Sequence, residues 1–95
     1  MSHYPKKKLM KDLVFDINAI EDILWWINHD RKTAIKILNL IKQIEKEPFT
    51  GIGKPEPLKH ELSGCWSRRI DAANRIVYSI SDDKIKILQC RFHYN

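Results

Sequence analysis

The sequence predicts an α+β fold, with two antiparallel N-terminal helices packed on one face of a mostly antiparallel sheet in the order β-α-α-β-β-β. Three observations carry this expectation. Two apolar stripes at helical spacing fill the first half, each preceded by an aspartate suited to capping. Beyond a loop rich in glycine and proline, residues 50–60, the period changes from helical to alternating. The alternating segments are joined by connections short enough for antiparallel hairpins.

Taken in order, Leu13 to Phe15 is a short apolar run that reads as a strand, closed by Asp16 as a helix N-cap. Ile20, Ile23, Leu24 and Ile27 follow at helical spacing and form the expected buried stripe. Trp25 and Trp26 sit beside it and point about 100° apart, so both are read as core with one leaving the central stripe. Asp30 caps a second helix with the stripe Ala34, Ile37, Leu38, Ile41 and Ile44. Lys32, Lys36, Asn39, Gln43 and Lys46 are read as its solvated side, and Pro48 ends it.

Three strands are expected at Trp66–Asp71, Arg75–Ser81 and Lys84–Phe92, with turns at 72–74 and 81–83. Parity assigns their faces. Ile76, Tyr78 and Ile80, with Leu88, Cys90 and Phe92, are expected against the helices. The opposite face then collects Arg69, Arg75, Arg91 and His93, and exposes Val77, Ile85 and Ile87 as apolar area for a protein partner. Arg68 falls on the core side by alternation and is placed at the sheet edge to escape burial.

Ninety-five residues suffice for one domain, read as 10–95, behind a flexible arm or expression remnant at 1–9. Three of the five net positive charges lie in that arm, and the remaining cations concentrate after residue 53. Such a distribution suits a local anionic partner such as RNA. No apolar run is long enough to span a bilayer and no leader is readable, so a soluble cytoplasmic protein is expected. Cys65 and Cys90 are read as free thiols. His3, His29, His60 and His93 lack metal-ligand spacing, so no metal or other cofactor is expected.

The loop carries the chemistry. Gly51 and Gly53 free the backbone, and then Pro55 and Pro57 fix it around Glu56, a carboxylate set in a cationic segment with Lys54, Lys59 and His60. A carboxylate, a histidine and several guanidinium groups suit transesterification of an RNA phosphodiester. That reaction needs a base at the ribose 2′-hydroxyl, an acid at the departing 5′-oxygen and positive charge at the phosphoryl oxygens. Glu56 fits the base, His93 the acid, and Arg75 with Arg69 and Lys59 the charge.

Gly51-x-Gly53-Lys54-Pro55-Glu56-Pro57-Leu58-Lys59-His60, Leu62-Ser63-Gly64-x-Trp66-Ser67-Arg68-Arg69-Ile70, Arg75-Ile76-Val77-Tyr78 and Cys90-Arg91-Phe92-His93-Tyr94 together resemble the Txe/YoeB branch of the RelE-like toxins of bacterial toxin–antitoxin pairs. The resemblance runs from about Lys11 to Tyr94 and makes the chain a single toxin domain of that type. It implies a ribosome-dependent mRNA endonuclease (an mRNA interferase) that inhibits translation, forms a homodimer and is held inactive by a YefM-type antitoxin. Carried over by position, it makes Glu56, Arg75 and His93 catalytic, and it is on this ground that Arg75 is chosen over Arg91. Lys59, Arg69 and Tyr94, with Lys54 and Arg91, become substrate contacts. Three positions depart from the family pattern: Cys65, Asn74 and the extension Asn95. A ParE-like toxin acting through protein contacts and a plain RNA-binding module are the competing readings.

Overall fold

The computed structural model describes residues 11–92. Strand β1 (Asp12–Phe15) leads into helix α1 (Ile17–His29), and α2 (Arg31–Lys46) follows almost without a break. Both expected caps form: Asp16 Oδ1 accepts from Asn18 N at 2.9 Å, and Asp30 accepts from Thr33 N at 3.2 Å and Thr33 Oγ1 at 2.7 Å. The second helix stops at Lys46, ahead of Pro48 as expected.

The buried face of α1 differs from the expected stripe. Ala19, Ile23 and Trp26 are buried, whereas Ile20, Leu24 and Ile27 are exposed together with Ile17. The helix is rotated so that Trp26 enters the core, where its Nε1 finds an acceptor in Cys90 O at 2.8 Å. On α2 the buried set is Ala34, Ile37, Leu40, Ile41 and Ile44; Leu40 takes the place expected for Leu38, which is exposed. Apolar area therefore remains uncovered on both helices, at Ile17, Ile20, Leu24 and Ile27 of α1 and at Ile35 and Leu38 of α2.

Strands β2 (Glu56–Pro57), β3 (Cys65–Arg69), β4 (Arg75–Ile80) and β5 (Lys84–Gln89) complete a five-stranded sheet in the order β1-β5-β4-β3-β2. All neighbours are antiparallel except β1 and β5. The two-residue β2 is an addition to the expected pattern. It pairs Glu56 with Ser67 and Pro57 with Trp66, which converts the catalytic-looking loop into an edge of the sheet.

A bulge corrects the parity read from the sequence. Tyr78 pairs with Ile87 and Val77 with Gln89, so Leu88 is the extra residue in β5. Ile85 and Ile87 therefore face the helices and are fully buried with Ile76 and Tyr78, instead of leaving apolar area outside. Val77 is buried as well, on the other face. The partner surface expected from Val77, Ile85 and Ile87 does not exist. Beyond Gln89 the chain leaves the ladder; Cys90 is buried and Phe92 is exposed.

Arg68 is the largest of the fully buried side chains, not an edge residue. Its Nε donates to Tyr78 Oη at 3.2 Å, and Nη1 to Gln43 Oε1 and Ile52 O, both at 3.1 Å. Nη2 donates to Thr50 O at 2.7 Å and to Glu47 O. Tyr78 Oη in turn donates to Pro48 O at 2.7 Å. A guanidinium survives burial here because every arm meets an oxygen. Gln43 also accepts from Ile52 N, and Lys36 donates to Ile70 O, so part of the lysine-rich side of α2 grips the sheet and loop.

Candidate active site

The loop from Phe49 to Pro55 is shaped by close approach. Gly51 has φ +112°, and a Cβ there would lie 2.5 Å from Gln43 Oε1. Gly53 has φ +84°, and its carbonyl accepts from Arg69 N at 2.7 Å. Lys54 follows in the left-handed region at φ +51°. Past the two prolines, Leu58 N donates to Cys65 O at 2.9 Å. The segment is thus fastened to β3 on both sides of Glu56, and behind it Arg68 holds the stretch 47–52.

Register defines the face that Glu56 shares. Glu56 pairs with Ser67, Ser67 with Val77 and Val77 with Gln89, which makes one row across four strands. Arg69 and Arg75 pair in the adjacent row, two residues on from Ser67 and two before Val77. Glu56, Arg69 and Arg75 therefore share the face of the sheet turned away from the helices. Among the described residues, the Glu56 side chain makes no hydrogen bond or ion pair, although its main chain pairs with Ser67. The carboxylate stands exposed.

Arg75 behaves differently. It is buried, and its Nη1 donates to Asp71 O at 2.8 Å, Asn74 O at 3.1 Å and Ala72 O at 3.3 Å. One arm of the fork is committed to the β3–β4 turn, which fixes the guanidinium plane. Arg69, Lys54 and Lys59 are exposed. Lys54 and Arg69 line a groove of about 440 Å³ between the glycine loop, α2 and the β3–β4 turn, with Lys36 and Asp71.

Arg91 is not brought to this face. Its guanidinium carbon lies 3.4 Å from the Trp25 ring centroid, and His29 stacks on Trp25 at 4.0 Å. Trp25 is thus a platform for Arg91 at the margin of the core. Asp22 Oδ2 accepts from Cys90 N at 2.9 Å. Burial raises the Asp22 carboxyl above the ordinary range, against the lowering effects of that bond and of Arg91. His93 and Tyr94 lie outside the described residues, as does the expected arm at 1–9. Reasoning from the sequence missed Asn74 as a site residue: its Oδ1 accepts from Phe92 N at 2.7 Å. Only its position before Arg75 pointed to it.

Among the described residues, no helix is long and apolar enough to cross a membrane, and no three His, Cys, Asp or Glu side chains gather as a metal site.

Comparison with known proteins is consistent throughout. Residues 15–94 match the model of the YoeB-like toxin of bacterial type II toxin–antitoxin systems. The chain is 54% identical over 85 residues to Toxin YoeB of Mycobacterium bovis, covering 90% of this chain and all of that one. Among solved structures it is similar to the YoeB/ParE toxin of Agrobacterium tumefaciens, with TM-score 0.83 and 42% identity over 87% of this chain and 99% of that one. It is also similar to a YoeB dimer from Staphylococcus aureus, with TM-score 0.80 and 41% identity over 88% and 98% of the two chains. A YoeB–YefM complex from Staphylococcus aureus matches with TM-score 0.78 and 40% identity over 88% and 98% of the two chains.

Proposed function

The chain belongs to the YoeB-like toxins of bacterial type II toxin–antitoxin systems, and from that premise we propose that it is a ribosome-dependent endoribonuclease that cuts mRNA in the decoding site without a metal. Glu56 removes the proton of the ribose 2′-hydroxyl. The 2′-oxygen attacks the adjacent phosphorus, the bond from phosphorus to the 5′-oxygen breaks, and His93 protonates that departing oxygen. Arg75 carries the charge that builds on the phosphoryl oxygens, supported by Arg69 and Lys59, while Lys54 and Tyr94 hold the RNA. Arg91 is left out of this set, since Trp25 already occupies it.

The observation that carries the reading is the register that sets Glu56 on one sheet face with the Arg69–Arg75 pair. A preorganised cation fixed by the fold costs no reorganisation when charge develops. Among the described residues, Glu56 and Arg69 stand exposed on this face, and the alignment of sugar and phosphate is left to a larger partner. Alignment of that kind is worth up to ~7–11 kcal/mol, and we assign it to the ribosome. A YefM-type antitoxin and a second copy of the chain are the expected partners. Among the similar structures from S. aureus, one is a YoeB dimer and another a YoeB–YefM complex. The uncovered apolar area of α1 and α2 gives a self-association surface somewhere to form.

The test is product chemistry on ribosome-bound mRNA. The upstream fragment should end in a 2′,3′-cyclic phosphate or the 3′-phosphate it opens to, and the downstream one in a 5′-hydroxyl. Replacing the single attacking 2′-hydroxyl by hydrogen should stop cleavage, and Glu56→Gln should do the same. Normal cutting of the deoxy-substituted message would make water the nucleophile and remove Glu56 from its role. Loss of RNA affinity in place of rate, across these variants, would return the chain to the class of plain RNA-binding modules.

A further inference from the structure

Two of the groups assigned above come from distant parts of the chain: Arg75 opens β4, and His93 follows the last described residue. One side chain links the two segments. Asn74 Oδ1 accepts from Phe92 N at 2.7 Å, while its Nδ2 donates to Asp71 Oδ1 at 3.1 Å and Oδ2 at 3.3 Å. The amide cannot be turned over, because that would set two donors against each other at Phe92 and two acceptors at Asp71. Asp71 is itself fixed, since Oδ1 also accepts from Ala73 N at 2.9 Å and Asn74 N at 2.8 Å.

The peptide that joins Phe92 to His93 is held at its other end too. Phe92 O accepts from Arg75 N at 3.0 Å. Phe92 is in the left-handed region at φ +67°, which a residue with a Cβ adopts only where its surroundings impose it. On the helix side, Cys90 is clamped by Asp22 at its N–H and by Trp26 at its carbonyl, and Arg91 lies over Trp25. The turn that anchors the Arg75 guanidinium through Asp71 O, Ala72 O and Asn74 O therefore also anchors the segment leading into His93.

We propose that Asn74 is a positioning residue: bridging Asp71 to Phe92 N, it fixes the main chain one residue before His93 to the turn that orients Arg75. The inference rests on the reading of His93 as the general acid. Asn74 touches no substrate; its effect on the rate passes through the proton delivered to the 5′-oxygen.

That route has a signature which a structural role lacks. A substrate with sulfur in place of the bridging 5′-oxygen releases a thiolate, which leaves without being protonated. Single-turnover cleavage of ribosome-bound mRNA should be compared on the oxygen and sulfur substrates for wild type, N74A, H93Q and R75Q. With oxygen, N74A should be slower by on the order of 10²-fold, the cost of a small misplacement. With sulfur, N74A and H93Q should both recover to the wild-type rate, and R75Q should stay slow. Relief of H93Q without relief of N74A overturns the proposal alone. Failure of sulfur to relieve H93Q overturns the acid assignment and this inference with it. An N74A rate equal to wild type on the oxygen substrate also overturns it. Should N74A fold poorly, N74D keeps an acceptor for Phe92 N while losing the donor to Asp71, and it carries the same comparison.

Discussion

Replacing Arg68 by methionine keeps length and apolar stem but removes every donor. Five hydrogen bonds disappear: to Tyr78 Oη, Gln43 Oε1, Ile52 O, Glu47 O and Thr50 O. Bonds from a charged donor contribute ~1.5–3 kcal/mol each, so simple addition gives ~8–15 kcal/mol. That equals the whole stability of an ordinary domain, about 5–15 kcal/mol, and so overstates the cost. Three terms reduce it. Tyr78 Oη keeps its bond to Pro48 O and Gln43 keeps Ile52 N, so neither is orphaned. Glu47, Thr50 and Ile52 are exposed residues whose carbonyls water can reach. Methionine also abolishes the desolvation cost of a buried cation. The expected loss is therefore well below that sum, about 3–5 kcal/mol, at the upper end for a single substitution that breaks a buried hydrogen-bond network. For a domain of this size that lowers Tm by roughly 12–40 °C. Urea unfolding followed by tryptophan fluorescence should show the midpoint falling with its slope unchanged. R68M within about 1 kcal/mol of wild type, an ordinary surface value, would refute the claim that Arg68 holds the Glu56 loop.

Gly53→Ala should destabilise by about 1–3 kcal/mol, because φ is +84° and the new Cβ would crowd Arg69 O and Arg68 Cβ at 3.2 Å each; chemical denaturation checks it. Burial pushes the Asp71 carboxyl up, but bonds from Ala73 and Asn74 outweigh it and the net shift is downward. Its contribution is therefore complete above the ordinary carboxylate value near 3.8 and fades as pH falls through the lower folded value, so D71N should flatten the acid limb of Tm against pH. Cys90, pushed up to about 12 by burial and by the Asp22 charge, should resist alkylation in the native protein at pH 7, with Cys65 modified first and both equal in denaturant by mass spectrometry. If the chain self-associates as proposed, Leu24→Lys on the uncovered face of α1 should lower its mass in sedimentation at unchanged helix content; a dimer that persists places the self-association surface elsewhere.

The helices, their aspartate caps and the antiparallel meander were legible because each depends on local rules: period, capping and turn length. Arg69 and Arg75 were legible as a pair because strand parity and a short turn put them on one face, whereas Glu56 was legible only as a stiffened loop carboxylate and reaches that face through β2. What the sequence hid depends on distance. Leu88 inserts one residue into β5, and nothing local marks a bulge, so every face assignment in that strand was inverted up to it. The α1 helix is apolar on two sides, and apolarity alone does not tell the side covered by the sheet from the one left open. Trp26 decided it, through an acceptor far along the chain. Arg68 was misplaced because alternation gives a side chain's direction and not the oxygens waiting there. Those come from the end of α2 and the glycine loop, which meet only in the folded chain.

The two prolines beside Glu56 have a further consequence for the border of the sheet. Since Leu58 N bonds to Cys65 O, and Glu56 pairs two steps away with Ser67, the amides of residues 56 and 58 turn inward to β3. Positions 55 and 57 turn outward, and both are proline, with no N–H to offer. A foreign strand approaching this side finds carbonyls but no donors, so it cannot extend the ladder. The border is sealed against fibre-like growth without a covering helix or a row of lysines. Glu56 can therefore remain open to solvent at the rim of a sheet that does not recruit strands there.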